Sequence, residues 1–157
     1  LKKAPFNALA SCFNITKISL EDRIEGLKQL FLLLIGSVGN KLKKELIEEQ
    51  EIVMNLSDIL SELFVLESTY LRVEKAKLKN SEKISVFINI LEVQAYDCFE
   101  KVKATGRAII NSYTTGLENR ILKKLLNNLV SDYAINVKNK RRVIAGHLIE
   151  KNGFSIN

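Results

Sequence analysis

From Leu20 to Tyr113 the chain has no proline, and for most of that length apolar residues return at every third or fourth position. Such a period belongs to amphipathic helices, and no segment shows the strict alternation of a half-buried strand. Ser19 opens the first helix. Its hydroxyl can accept from the backbone three residues on, where Asp22 can reach back, a variant of the capping box. Ile24, Leu27, Leu30, Phe31, Leu34, Val38 and Leu42 then trace one face to about Ile47. Within this helix lies KQLFLLLIGSVGNKLKK, an apolar run bounded by lysines. Its uninterrupted part, Leu30 to Gly39, is far shorter than the roughly 20 residues a spanning helix needs. A helix lying on a membrane keeps one strongly polar face, whereas Leu30 to Ile35 is apolar all round. The segment is therefore expected in the core, as a central helix with neighbours on several sides. Gly36 and Gly39 each lower helicity by about 1 kcal/mol, which a closely packed second helix would offset.

A connection near Glu48 to Glu51 leads to a second helix with Val53, Leu56, Leu60, Leu63, Phe64 and Leu71 as its stripe. Asn80 and Ser81 separate it from a third, with Ser81 as the expected N-cap. The third runs from about Glu82 to Tyr113 and should bury Ile84, Phe87, Ile88, Leu91, Ala95, Phe99 and Val102. Thr114, Thr115 and Gly116 mark a loop, and Thr115 with Glu118 repeats the capping-box spacing. A fourth helix carries Leu117, Ile121, Leu125 and Leu129 and ends near Tyr133. Asn136 can cap a last helix with Val143, Ile144, Leu148 and Ile149 on its apolar face, stopped by Asn152 and Gly153. The fold class is all-α: an antiparallel bundle of four main helices with short terminal helices. Residues 1–18 read as a linker or short N-terminal helix, and residues 19–154 as the bundle.

At 157 residues the chain fits one domain with a sizeable core. Its net charge of +6 allows an acidic partner but does not require one, since the lysines are spread among glutamates. No nucleic-acid motif accompanies them, and a nucleic-acid partner is not expected. Cys12 and Cys98 form neither a CxxC nor a metal-ligand spacing and read as reduced thiols of a cytoplasmic protein. No secretory signal opens the chain. It begins at Leu1, a residue before which initiator methionine is not normally removed, so it reads as a piece of a longer polypeptide.

Chemistry is sparse. His147 is the sole histidine and cannot by itself build a zinc or di-iron site. There is no GxGxxG, Walker loop or GxSxG. Glu45, Glu48, Glu49 and Glu51 lie within helical reach of Lys41 and Lys44, which ordinary surface pairing explains. No catalytic, cofactor-binding or metal-ligating residue is therefore assigned. Glu67 and Arg72 sit in a mostly apolar stretch, FVLESTYLRVEKA, where a carboxylate needs a cation, so a structural ion pair is expected over a ligand contact. Lys138, Lys140, Arg141 and Arg142 crowd the first turns of the last helix, against its dipole. Either they meet carboxylates or phosphates as a docking or anion-binding site, or they are solvated charge.

Three stretches carry a family resemblance: EEQEIVMNLSDILSELFVLESTYLRVEKA from Glu48, GRAIINSYTTGLENRILKKLLNNL from Gly106, and NVKNKRRVIAGHLIEKNGF from Asn136. In this order they resemble the C-terminal extension of bacterial acyl-CoA dehydrogenases, from about Asp22 to Phe154, with the apolar run matching that extension's first long helix. The resemblance implies a parent enzyme that dehydrogenates a fatty acyl-CoA at Cα–Cβ with FAD. In that family the glutamate base and the flavin site belong to the upstream catalytic domain, so no cofactor is expected in this chain. The extension is also similar to that of very-long-chain acyl-CoA dehydrogenases, an added helical domain packed on the catalytic body and associated with dimer architecture and membrane contact. The implied partners are thus the catalytic domain, a dimer mate and a peripheral membrane surface.

Overall fold

The computed structural model describes residues 18–153, and these form five α-helices with no strand. The expected linker or short helix over residues 1–18 lies, but for Ile18, outside the described residues, as does Cys12. Helix α1 spans Leu20–Leu42, α2 Gln50–Leu78, α3 Ile84–Tyr113, α4 Gly116–Leu129 and α5 Val137–Glu150. The first four alternate in direction, so α1 and α3 run parallel, with α2 and α4 antiparallel to them. Three inter-helix pairs fix this: Lys28 meets Glu67, Lys101 meets Glu62, and Lys41 meets Glu118.

The capping box at Ser19 is present: the Asp22 amide donates to Ser19 Oγ at 3.0 Å, and the Ser19 amide donates to Asp22 Oδ2 at 3.2 Å. Helix α1 ends earlier than its apolar period suggests. Lys43 takes φ 49°, in the left-handed region, and residues Lys43–Ile47 tighten into a 3-10 turn before α2. Asn80, at φ 51°, similarly ends the segment after α2. Helix α3 starts at Ile84, and Ser81 lies ahead of it in a turn without capping a helical amide. Thr115 holds the N-cap position of α4, but its side chain makes no cap bond. Glu118 turns instead to Lys41 of α1, at 2.5 Å. Asn136 does cap α5, accepting from the Asn139 amide at 3.1 Å, and the positive φ angles of Asn152 and Gly153 close that helix.

The core corrects the expected centre. Helix α3 packs against all four other helices and buries Leu91, Ala95, Cys98, Phe99, Val102, Ile109 and Ile110. Helix α1 buries Ile24, Leu27, Leu30, Leu34 and Val38 as its period predicts, but Leu32 and Ile35 face solvent. It has α2, α3 and α4 as neighbours, but they leave one side of it open. Each fully buried leucine contributes roughly 1.5–3 kcal/mol. The α2 stripe is rotated from the expected one. Ile52, Leu56, Ile59, Leu63, Leu66 and Val73 are buried, whereas Val53, Leu60, Phe64 and Leu71 are exposed. The helix carries two apolar stripes about 110° apart, and only one can point at α3. The same ambiguity turns α4, which buries Leu122 and Leu126 and exposes Leu117, Ile121 and Leu125.

Glycine sets how closely the helices approach, at positions other than those expected. A Cβ on Gly36 or Gly39 would meet nothing within 4 Å. A Cβ on Gly26 would stand 2.5 Å from the Leu129 carbonyl oxygen, and one on Gly106 2.5 Å from Leu126 Cδ1. Helix α4 thus lies directly on α1 and α3. Its C-terminal end is gripped by Arg23, whose Nη1 donates to Ser131 Oγ at 2.8 Å and to the carbonyls of Ser131 and Asp132 at 3.2 Å. The guanidinium also sits 5.3 Å from the Tyr133 ring centroid and 6.0 Å from that of Phe99. Beside it, the mostly buried Lys103 pairs with the exposed Asp132.

Two outcomes test this packing. Gly26→Ala should destabilise the bundle by about 1–3 kcal/mol in urea unfolding, because a backbone oxygen cannot turn aside. Gly36→Ala, in open space, should stabilise it by up to about 1 kcal/mol. The second concerns pH. The hydrogen bond from Lys103 holds Asp132 below the usual carboxylate range, with its charge adding to the effect. A depressed carboxylate stabilises the fold above its unfolded value and loses that contribution as pH falls through its folded value. Asp132→Asn should therefore be less stable than the parent at pH 7, the gap narrowing in unfolding curves taken below about pH 3.8.

Candidate functional site

The basic cluster predicted for the last helix is only partly available to a ligand. Lys140 meets Glu92 at 2.6 Å, and Arg141 Nη2 donates to both oxygens of Asp97 at 2.7 and 3.0 Å. Both carboxylates belong to α3. Lys138 and Arg142 carry no ion pair among the described residues. With Tyr96, Val137, Arg141 and Ala145 they line a shallow groove of about 470 Å³ between α3 and α5. Helix α5 has no fully buried residue. Its half-buried Ile144 and Leu148 face the bundle, while Val143 and Ile149 are exposed. Two of its four basic residues from the predicted cluster, Lys140 and Arg141, thus meet carboxylates inside the same domain.

Glu67 is ion-paired, but with Lys28 of α1 at 2.6 Å and not with Arg72. The reason is helical geometry: residues five apart are separated by about 140° around the axis. Glu67 faces α1, whereas Arg72 borders an apolar cleft with Thr69, Val73, Phe87 and Ile90 between α2 and α3. The hydrogen bond that Lys28 donates to Glu67 pushes the lysine above its usual range, against a smaller opposing effect of desolvation.

Other candidate chemistry does not assemble. No group of three or more His, Cys, Asp or Glu that could hold a metal occurs among the described residues. His147 lies half-buried on α5. Cys98 is a free thiol deep in the core, and burial pushes it up to about 12, with the charge of Glu62 acting in the same direction. It is protonated at neutral pH and has no use as a nucleophile. No helix among the described residues is long and apolar enough to cross a membrane.

The residues that sequence reasoning placed wrongly are the informative ones. Val53, Leu60, Phe64 and Leu71 form a continuous exposed stripe along α2, at spacings of seven, four and seven residues. Leu32 and Ile35 of α1 lie alongside. The signal was present as a surplus: α2 carries more apolar residues than one core-facing stripe can use.

The weak hold on α5 is measurable. Partly exposed ion pairs contribute roughly 0.2–1 kcal/mol. Asp97→Asn should therefore raise hydrogen exchange of α5 amides by a factor of up to about five, leaving the amides of the buried half of α3 unchanged.

Comparison with known proteins supplies what the local chemistry does not. The model of the acyl-CoA dehydrogenase C-terminal domain matches residues 26–128. A probable acyl-CoA dehydrogenase of Bacillus subtilis (strain 168) is 27% identical over 130 residues, covering 82% of this chain and 22% of the relative. The crystal structure of an acyl-CoA dehydrogenase complexed with FAD from Bacillus anthracis is similar at a TM-score of 0.82 and 29% identity, covering 87% of this chain and 24% of that one. The chain thus spans about a quarter of the length of the relatives it matches. With the matched segment running from α1 to the end of α4, this chain belongs to the acyl-CoA dehydrogenase C-terminal domain family.

Proposed function

We propose that this chain is a non-catalytic accessory domain of a cytoplasmic, FAD-dependent acyl-CoA dehydrogenase, packed on the catalytic body of that enzyme or on its dimer mate. The parent reaction is α,β-dehydrogenation of a fatty acyl-CoA, in which FAD, held by the catalytic body, accepts hydride. One observation carries the reading: a helical bundle of this family is matched to relatives about four times its length, so most of each relative lies outside it. The described residues offer no Gly-rich turn at a helix N-terminus of the kind that cradles a pyrophosphate, and no flavin site is assigned to them. The domain's contribution is mechanical: apolar surface and a rigid shape.

The groove beside Lys138 and Arg142 favours a second reading, a module docking anionic lipid or acyl-CoA phosphates through α5. It calls for binding that weakens with salt and with Arg141→Ala/Arg142→Ala.

Sequencing the coding DNA upstream of Leu1 tests the first reading directly. The expected result is an open frame of several hundred codons encoding a flavin dehydrogenase, and a purified 157-residue fragment without bound flavin. A start codon immediately before Leu1, or a fragment that purifies yellow, would sink it. Sedimentation of the fragment with anionic vesicles at low and high salt decides the second.

A further inference from the structure

We infer that the face shared by α1 and α2, centred on Leu32, Ile35, Leu60 and Phe64, is the surface by which the bundle docks on the catalytic body of its own polypeptide. This rests on the accessory-domain reading above and specifies which side of the bundle that reading uses.

The four side chains lie together by register. Lys28 and Glu67 touch across the antiparallel pair α1–α2. Two helical turns from that contact, about 10 Å along each axis, stand Ile35 on α1 and Leu60 on α2. One turn from it stand Leu32 and Phe64. All four point outward: Phe64 is 71% exposed, Leu32 66%, Leu60 48% and Ile35 43%. Beyond Leu60 the surface continues through Val53 and Met54 to Ile47, which line a further apolar groove with Leu46 and Gln50.

This surface is also stripped of charge. Residues 29–40 of α1 contain none. Between Asn55 and Leu66 the charged residues of α2 are Asp58 and Glu62. Glu62 pairs with Lys101 of α3, and Asp58 acts on the same lysine. Ser57 and Ser61 turn their hydroxyls back to helix carbonyls at 3.0 and 2.9 Å, so they ask nothing of solvent. Gly36 and Gly39, with open space where a Cβ would stand, add neither charge nor bulk beside Ile35. A large apolar patch with charge confined to its ends is the anatomy of an interface core. The exposed apolar residues of α4 make a poorer candidate, because Glu118, Arg120, Lys123 and Lys124 are interspersed with them.

The occupant follows from length. About three quarters of each matched relative lies outside the aligned segment. In such a polypeptide the rest of the chain is tethered to this bundle and presented to it at an effective concentration no free partner matches.

The test uses the full-length polypeptide with a specific protease site inserted ahead of Ser19, cleaved and run on gel filtration. The parent bundle should remain with the flavin-containing body after cleavage. Leu32→Glu/Phe64→Glu should separate from it, and Arg142→Ala on the far side should not. If the parent bundle leaves the body, the packing reading itself fails and the inference with it. If the parent and Leu32→Glu/Phe64→Glu bundles both remain, the packing reading stands and this face is the wrong one. A released parent bundle that runs as its own dimer, and as a monomer once Phe64→Glu is introduced, would assign the face to a second copy and overturn the inference. Should the double variant lose its helical circular dichroism, Ser61→Arg replaces it, since that exposed hydroxyl can be exchanged without touching the core.

Discussion

The contact of α4 with the backbones of α1 and α3 is the constraint on which the rest of the bundle depends. It exists because Gly26 and Gly106 carry no side chain where α4 crosses. Once α4 is that close, Leu122, Leu126 and Val130 join the same buried cluster as Leu30, Leu34 and Ile110. The carbonyls at its C-terminal end then fall within reach of Arg23. A cation there offsets the negative end of the helix dipole and stands over two aromatic rings, each effect worth up to about 1 kcal/mol. The neighbouring Lys103–Asp132 pair has one end in the core and the other in solvent, so only the lysine loses hydration.

How far the fold was legible depends on the helix. In α3 a single apolar stripe stood out, and the residues read as core from Ile84 to Val102 are buried or packed against the core. In α1 the stripe from Ile24 to Val38 is likewise in the core, but the all-round apolar run hid that Leu32 and Ile35 face solvent. In α2 and α4 apolar residues come in adjacent pairs, such as Ile59–Leu60, Leu63–Phe64, Ile121–Leu122 and Leu125–Leu126. The period then specifies a helix but not its rotation, which only the partner helices decide. Glycines invited a similar error. Gly36 and Gly39 drew attention by standing in the apolar run, yet close approach is made at Gly26 and Gly106, whose surroundings in sequence are unremarkable. Pairings beyond one helix were out of reach of local pattern. Glu67 found Lys28, and Arg141 found Asp97, across sequence distances of 39 and 44 residues.

Function divides along the same line. Residue types offered little from which to build a site, because the chain has one histidine and two cysteines. The family was readable from ordered stretches of sequence, and the structural likeness agrees with it. The surface use of the domain was not readable, because its apolar residues look like core residues until the core is seen to be full without them. Conflict between a local rule and the folded arrangement is where interaction surfaces tend to lie.

The grip of Arg23 on Ser131 joins positions 108 residues apart, at opposite ends of the four-helix unit. By contrast, α2 and α3 are joined by a short turn and can pair as soon as both exist. Contacts between distant segments come late, because the intervening chain must first give up its freedom. On a ribosome, the α2–α3 hairpin is therefore complete while α1 still waits for α4 to emerge. During that interval Leu27, Leu30 and Leu34 lack part of the cover they have in the finished bundle.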